Sequence, residues 1–304
     1  MNTQLLLKNL EAERNERLEK ARFDEKAEVA KQYRAIMARL QASEADQSSL
    51  WETLVSAQQA GHNGTCAWVL KQEKVASWLD KNGSTRSLWL QGPAGTGKSV
   101  IAAHLARFRS LGGNIVIRHF CDDLYESSSR YDQILKSIIR QMLELSEDST
   151  AYVYKTVILE RKPLTLSALE TIVQELVSIL SGSAQDQRSI WVVLDGVDVI
   201  EEASMARCIA LMDLSAMKDG AQGTAVFKVL FTSRREPHKT ETRKRSMVLL
   251  GTESIHLRAS IQLYVMHRLQ SPLILDRLSQ LGIGTDELTT LASEIAAKAD
   301  GEID

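Results

Sequence analysis

Apolar positions along this chain come in distinct textures. Through residue 60 they are sparse and embedded in charge. From Lys8 to Arg34 fifteen of 27 residues are charged, and neither glycine nor proline occurs before Gly61. That absence is what a continuous helix requires. Glu13/Arg17 and Glu16/Lys20 have the acid-before-base i,i+4 order that adds a few tenths of a kcal/mol per pair. Val29, Tyr33, Ile36 and Leu40 step 4-3-4 along one face, so the second half of the helix is expected to pack and the first half to remain solvated. Arg14 and Arg17 interrupt any heptad seam, which leaves a short coiled coil or partner helix as the alternative to a solvated one.

Beyond Gly61-His-Asn-Gly64 the texture changes, with Trp68, Leu70, Val75, Trp78 and Leu79 forming an apolar cluster before the turn signal Asn82-Gly83-Ser84. Short apolar runs then alternate with helical periodicity. Ser87–Leu90, Asn114–Cys121, Ile190–Leu194, Val229–Thr232 and Ser254–Leu257 predict five strands. Ile134, Leu135, Ile138, Ile139, Met142 and Leu143 recur at helical spacing, as do Leu166 to Leu180 behind a Ser167-x-x-Glu170 capping box. Ala203–Met217, Ile261–Leu269 and Asp286–Ala299 complete the helices. Such alternation predicts an α/β fold with a parallel, doubly wound sheet. The organisation read from it is a charged helical extension over 1–47, a helical connector over 48–86, an α/β domain over 87–260 and the start of a helical segment over 261–304.

Composition narrows the class. With 37 basic and 39 acidic residues the formal charge is −2, which argues against a general polyanion binder and so against nucleic acid as a partner. No apolar run approaches the ~18 residues that a membrane span needs, so no membrane partner is expected. Cys66, Cys121 and Cys208 form no CxxC pair and indicate neither a zinc site nor a disulfide frame; without a secretory leader the chain reads as cytoplasmic.

Chemistry concentrates at Gly92-Pro93-Ala94-Gly95-Thr96-Gly97-Lys98-Ser99, which fits G-x-x-x-x-G-K-[ST] at every fixed position, behind an apolar strand and ahead of a helix. Glycines let successive N–H groups turn inward onto phosphate oxygens, and the helix N-terminus adds partial positive charge. Lys98 is expected to bridge the β- and γ-phosphates and the Ser99 hydroxyl to ligate Mg2+. Asp195 follows four apolar strand residues and is the candidate metal-side acid; Asp198 is the candidate to orient or deprotonate an attacking water. Val229-Leu-Phe-Thr-Ser-Arg234 ends a strand in a guanidinium suited to a γ-phosphate contact. Arg243-Lys-Arg245 adds a basic run whose default reading is a solvated loop.

These segments, with Gly64-Thr-Cys-Ala-Trp68, Phe120-Cys-Asp-Asp123, Ile134–Gln141, Ile255-His-Leu257 and Tyr264–Leu269, resemble in order and spacing a NACHT-type nucleotide-binding domain of the STAND P-loop NTPases, in the nephrocystin-like branch abundant in filamentous fungi. The resemblance runs from about Gly64 to Gly301. It implies an ASCE-type sheet in which the strand bearing the metal acid is not adjacent to the phosphate-loop strand. It also implies ATP/ADP with Mg2+ as ligands, and a nucleotide-dependent switch that signals or assembles through protein partners; the N-terminal helix is the separate candidate for self-association or for a signalling partner. Lys98, Ser99, Asp195 and Arg234 match its phosphate, metal and sensor positions. Two departures stand out. Val199 follows Asp198 where the family carries a second acid, which weakens the expectation of hydrolysis. The sequence also stops three residues after Gly301, so the family's winged-helix segment and C-terminal repeats are not in it. A non-hydrolysing nucleotide-binding scaffold and a P-loop small-molecule kinase are the rival readings.

Overall fold

The computed structural model describes residues 3–42, 45–59, 66–122, 125–182, 189–217, 226–235, 246–251, 255–281, 284 and 287–298. Helices α1 (Thr3–Leu40) and α2 (Ala45–Gln59) open the chain, followed by a short 3-10 turn (Ala67–Lys71) and α3 (Glu73–Leu79). Then come β1 (Ser87–Gln91), α4 (Lys98–Leu111), β2 (Ile115–Phe120), α5 (Glu126–Ser129), α6 (Tyr131–Leu143) and α7 (Glu147–Val153), the last continuing as a π-helical turn over Tyr154–Leu159. The rest comprises α8 (Leu166–Gly182), β3 (Ile190–Asp195), α9 (Glu202–Met217), β4 (Phe227–Ser233), β5 (Ser246–Leu249), α10 (Ile255–Leu269), α11 (Pro272–Gln280) and α12 (Leu288–Lys298).

The five strands form one parallel sheet in the order β2-β3-β4-β1-β5. The acid-bearing β3 is thus separated from the phosphate-loop strand β1 by β4, as the resemblance implies. Every residue of β3 and of β4 is buried, because helices cover both sheet faces. Side chains alternate between the two layers. Trp89, Val192, Leu194, Val229 and Phe231 face the layer of α6, α8 and α9, whereas Leu88, Leu90, Trp191, Val193 and Leu230 face α4 and α3.

Lys228 is fully buried in β4, an unusual place for an ammonium. Its Nζ donates to the carbonyl oxygens of Trp78 (2.9 Å) and Asp80, and lies 5.4 Å from the Trp191 ring centroid. The Arg109 guanidinium lies 3.8 Å from the same ring centroid and donates to the Leu79 carbonyl at 2.6 Å. The carbonyls at the end of α3, which have no intrahelical donor, are therefore met by two cations.

Three sequence expectations are corrected. The described residues before 60 form two helices, not one: α1 ends where Gln41 adopts φ 50°, without glycine or proline, and α2 opens at Ala45. The last strand is Ser246–Leu249, which pairs with β1, while residues 255–257 begin α10 and residue 254 lies outside the described residues. The capping box is displaced as well. Thr165 Oγ1 accepts the Ala168 N–H (3.2 Å), Ser167 lies within α8, and Glu170 binds Tyr131 (2.8 Å) and Arg207 (2.9 Å).

The stripe on α1 behaves as expected. Ile36 and Leu40 are buried in the main core and Tyr33 Oη donates to Glu144 at 3.1 Å, whereas residues 14–28 are exposed, Phe23 to 73%.

Candidate nucleotide site

β1 delivers the chain to the phosphate loop at the C-terminal end of the sheet, the edge at which open α/β sheets bind ligands. The loop's base is held from both sides: the Gly92 N–H donates to the Ser233 carbonyl (3.2 Å) and the Leu250 N–H to that of Gln91 (2.6 Å). Trp89 Nε1 bonds Ser233 Oγ at 2.7 Å, tying β1 to the strand that ends at Arg234. Within the loop, buried Thr96 donates its hydroxyl to the Pro93 carbonyl at 2.9 Å. Gly97 stands at φ 74° directly before α4, a conformation that costs an L side chain about 1 kcal/mol or more. The first-turn N–H groups of α4 then point out of the helix end beside the loop.

Lys98 folds over this loop, its Nζ donating to the carbonyls of Gly92 (2.8 Å) and Pro93 (2.6 Å). Burial lowers its ammonium below the ordinary lysine value, and the Asp195 and Asp198 carboxylates pull the other way. The Ser99 hydroxyl, in the first turn of α4, lies near the Asp195 carboxylate at the end of β3 and favours its charged form. Asp195 is 4% exposed. Burial raises its carboxyl above the ordinary value, opposed by the Ser99 and Thr232 hydroxyls and by the Lys98 ammonium.

Thr232 was not among the residues singled out in the sequence, and it is central. Its hydroxyl donates to Asp195 Oδ1 at 2.6 Å and accepts the Gly196 N–H at 2.9 Å, so one fully buried side chain fixes both the acid and the turn after it. A signal existed, since Thr232 sits in the apolar run ending at Arg234, but a strand-end threonine is too common to single out.

Asp198 lies in a 3-10 turn (Val197–Val199) that follows Gly196. Its two oxygens accept from the Arg234 N–H (3.1 Å) and from Arg234 Nε (2.6 Å). The two candidate catalytic residues are thus brought together as an ion pair, with Asp198 buried and Arg234 half exposed. Arg243–Arg245, Gly64, Thr65 and Asp123 lie outside the described residues.

A glycine-bearing loop at a helix N-terminus, an ammonium folded over it, and a hydroxyl beside a buried carboxylate form a donor set that fits a polyphosphate with a divalent cation. No cluster of three metal-ligating His, Cys, Asp or Glu side chains occurs among the described residues. Among those residues no helix is long and apolar enough to cross a membrane.

Residues 64–234, more than half of the chain, match the family model for nephrocystin 3, N-terminal. A search of curated proteins found no match. Solved structures with a similar fold include Cdc6p from Pyrobaculum aerophilum (14% identity, 76% of this chain and 61% of that one, TM-score 0.44). Others are the ORC2 protein of Aeropyrum pernix in its ADP form (12%, 75% and 67%, TM-score 0.39) and a Walker-type ATPase of Pyrococcus abyssi (13%, 76% and 68%, TM-score 0.40). The chain spans 61% of the length of the first of these.

Proposed function

Because the chain belongs to the nephrocystin 3 N-terminal family, we propose that it is an ATP/ADP-binding STAND-like module, a nucleotide-dependent switch for signalling or assembly. The observation that carries this reading is the juxtaposition of the head of the phosphate-loop helix, with Lys98 and Ser99, and the buried Asp195 that the Thr232 hydroxyl anchors at 2.6 Å. In this reading the loop N–H groups and Lys98 hold the phosphates, and Ser99 and Asp195 hold Mg2+. When bound, the metal ion neutralises phosphate charge and orients the terminal phosphoryl group. Lys98 exchanges its two loop-carbonyl acceptors for phosphate oxygens, so binding replaces neutral acceptors by charged ones.

Asp198 would act on water only after Arg234 lets go of its carboxylate, and in this reading Arg234 is itself the guanidinium that would contact a terminal phosphate. A triphosphate that draws Arg234 away therefore frees Asp198, and a diphosphate does not. The same pair favours a second reading, a non-hydrolysing nucleotide-binding scaffold, because both carboxylate oxygens accept from Arg234. The exposed stretch of α1 is the surface for partners or self-association in either reading.

Calorimetric titration with Mg·ATP and Mg·ADP tests the site. Lys98→Ala should weaken binding by about two orders of magnitude, ~2.7 kcal/mol, and unchanged affinity in that variant would overturn the assignment. Asp198→Ala should keep nucleotide affinity and lose phosphate release; equal release from both proteins would remove Asp198 from the chemistry. No release from the wild type over hours, with nucleotide bound, selects the scaffold.

A further inference from the structure

β2 is an edge of the sheet, and in a parallel ladder alternate residues of an edge strand turn their N–H and C=O groups outward. At Arg118 and Phe120 both groups are closed by a glutamine side chain. Gln141 of α6 accepts the Arg118 N–H at 3.0 Å and donates to its carbonyl at 2.8 Å. Gln47 of α2 does the same to Phe120, at 2.8 Å in both directions, and is itself buried. Each amide stands in for one residue of a missing neighbour strand.

The two clamps differ in what lies behind them. Phe120 pairs in register with Asp195, and the next N–H, of Cys121, donates to the Asp195 carbonyl at 2.9 Å. The Cys121 carbonyl packs against Gly196 so closely that a Cβ there would come within 2.7 Å of its oxygen. The peptide gripped by Gln47 is therefore the wall against which the Asp195–Asp198 turn closes. The same helix also packs on α4, which opens with Lys98 and Ser99. Trp51 of α2 completes the dock: its ring centroid is 6.2 Å from that of Phe120 and 4.1 Å from the Arg118 guanidinium. Leu40 at the end of α1 belongs to the core on one face of the sheet, whereas Trp51 packs on the core of the other, so the N-terminal segment straddles the β2 edge. At 15 residues α2 is marginal as an isolated helix, and its order depends on this docking.

We propose that α2 couples the nucleotide site to the N-terminal helix: Gln47 is a positioning residue for the Asp195–Asp198 turn, and docking of α2 and binding of nucleotide strengthen each other. The proposal rests on the nucleotide reading of the site. Linkage makes the effect reciprocal, since an α2 that tightens the site must itself be held more firmly when the site is filled.

The test is hydrogen–deuterium exchange with mass spectrometry on the full chain, wild type, Gln47→Leu and Gln141→Leu, with and without Mg·ADP, alongside calorimetric affinities. Without nucleotide, Gln47→Leu should speed exchange about tenfold in residues 190–200. Gln141→Leu, an equal lesion on the same edge and the control for general unfolding, should speed it in 115–120 and leave 190–200 as in the wild type. Mg·ADP should slow exchange across residues 45–59 of the wild type. Gln47→Leu should weaken Mg·ADP by about five-fold or more, the usual lower range of site-to-site coupling, and Gln47→Glu, which keeps the acceptor for the Phe120 N–H, should recover part of it. If residues 190–200 do not respond to Gln47→Leu, or respond alike to both glutamine variants, the coupling is overturned. Lys98-dependent binding that moves neither residues 45–59 nor the Gln47→Leu affinity overturns the coupling while leaving the nucleotide site standing. A wild type that binds no nucleotide overturns the site reading and the coupling with it.

Discussion

Thr232→Val separates the role of one hydroxyl from the packing around it. The two side chains have nearly the same shape, and Thr232 is fully buried, so what changes is the hydrogen bonding. Two bonds go: the 2.6 Å donation to Asp195 Oδ1 and the 2.9 Å acceptance from the Gly196 N–H. The first is to a carboxylate and contributes ~1.5–3 kcal/mol; the second leaves a backbone N–H without its acceptor at ~1–3 kcal/mol. Asp195 keeps the nearby Ser99 hydroxyl and Lys98 ammonium, which favour its charged form, so the carboxylate is not wholly stranded and the total should be ~3–5 kcal/mol. Equilibrium urea unfolding, followed by tryptophan fluorescence, reads this as a lower midpoint at unchanged slope. Thr232→Ser is the paired control, because it keeps the hydroxyl and loses a methyl worth ~1 kcal/mol. A valine variant within ~1 kcal/mol of the wild type, or no worse than the serine variant, would show that this hydroxyl does not anchor the acid and its turn.

Two further outcomes follow from buried polar groups. Lys228→Met removes the donor to the Trp78 carbonyl, whereas the Asp80 carbonyl keeps the Gly83 N–H at 3.1 Å, so a loss of ~2 kcal/mol is expected in the same assay, and a neutral or stabilised variant would show that the Trp78 carbonyl does not depend on the ammonium. His119 is buried against the Ser128 carbonyl at 2.7 Å, and burial lowers its imidazole to about 4, a shift that the Ser128 bond opposes. The unfolded chain takes up that proton near the ordinary 6.5, so the unfolded state is favoured as pH falls from there towards 4, with stability full above 6.5. The loss amounts to a few kcal/mol, ~3 at most. His119→Asn should flatten stability over this window relative to the wild type, and parallel pH profiles would refute the assignment.

Much of this protein is written locally. The strand, loop and helix around Gly92–Ser99 are contiguous, so residue type and order suffice to place the loop, the ammonium and the hydroxyl. β3 and β4 are legible because strands buried on both faces read as unbroken apolar runs, and the packed stripe on α1 because its spacing matches the helical repeat. Where two short apolar runs compete, as 246–249 and 254–257 do, composition does not choose. Pairing with Leu88–Gln91 gives the strand to the first, and residues 255–257 of the second open α10.

Tertiary structure alone decides the partnerships. Asp198 and Arg234 are each recognisable in the sequence, but nothing local says that they bind one another, because the contact exists only once β3 and β4 lie side by side. Thr232 offers only the common signal of a strand-end threonine and Gln47 none, since their importance comes from the groups they meet: the Asp195 carboxylate and Gly196 N–H for one, the Phe120 backbone for the other. A side chain's residue type sets what it can donate or accept; which group it meets depends on the folding of distant segments into register. The sequence therefore specifies the phosphate cradle, and the assembled sheet determines how the acid, the turn and the N-terminal helices are held around it.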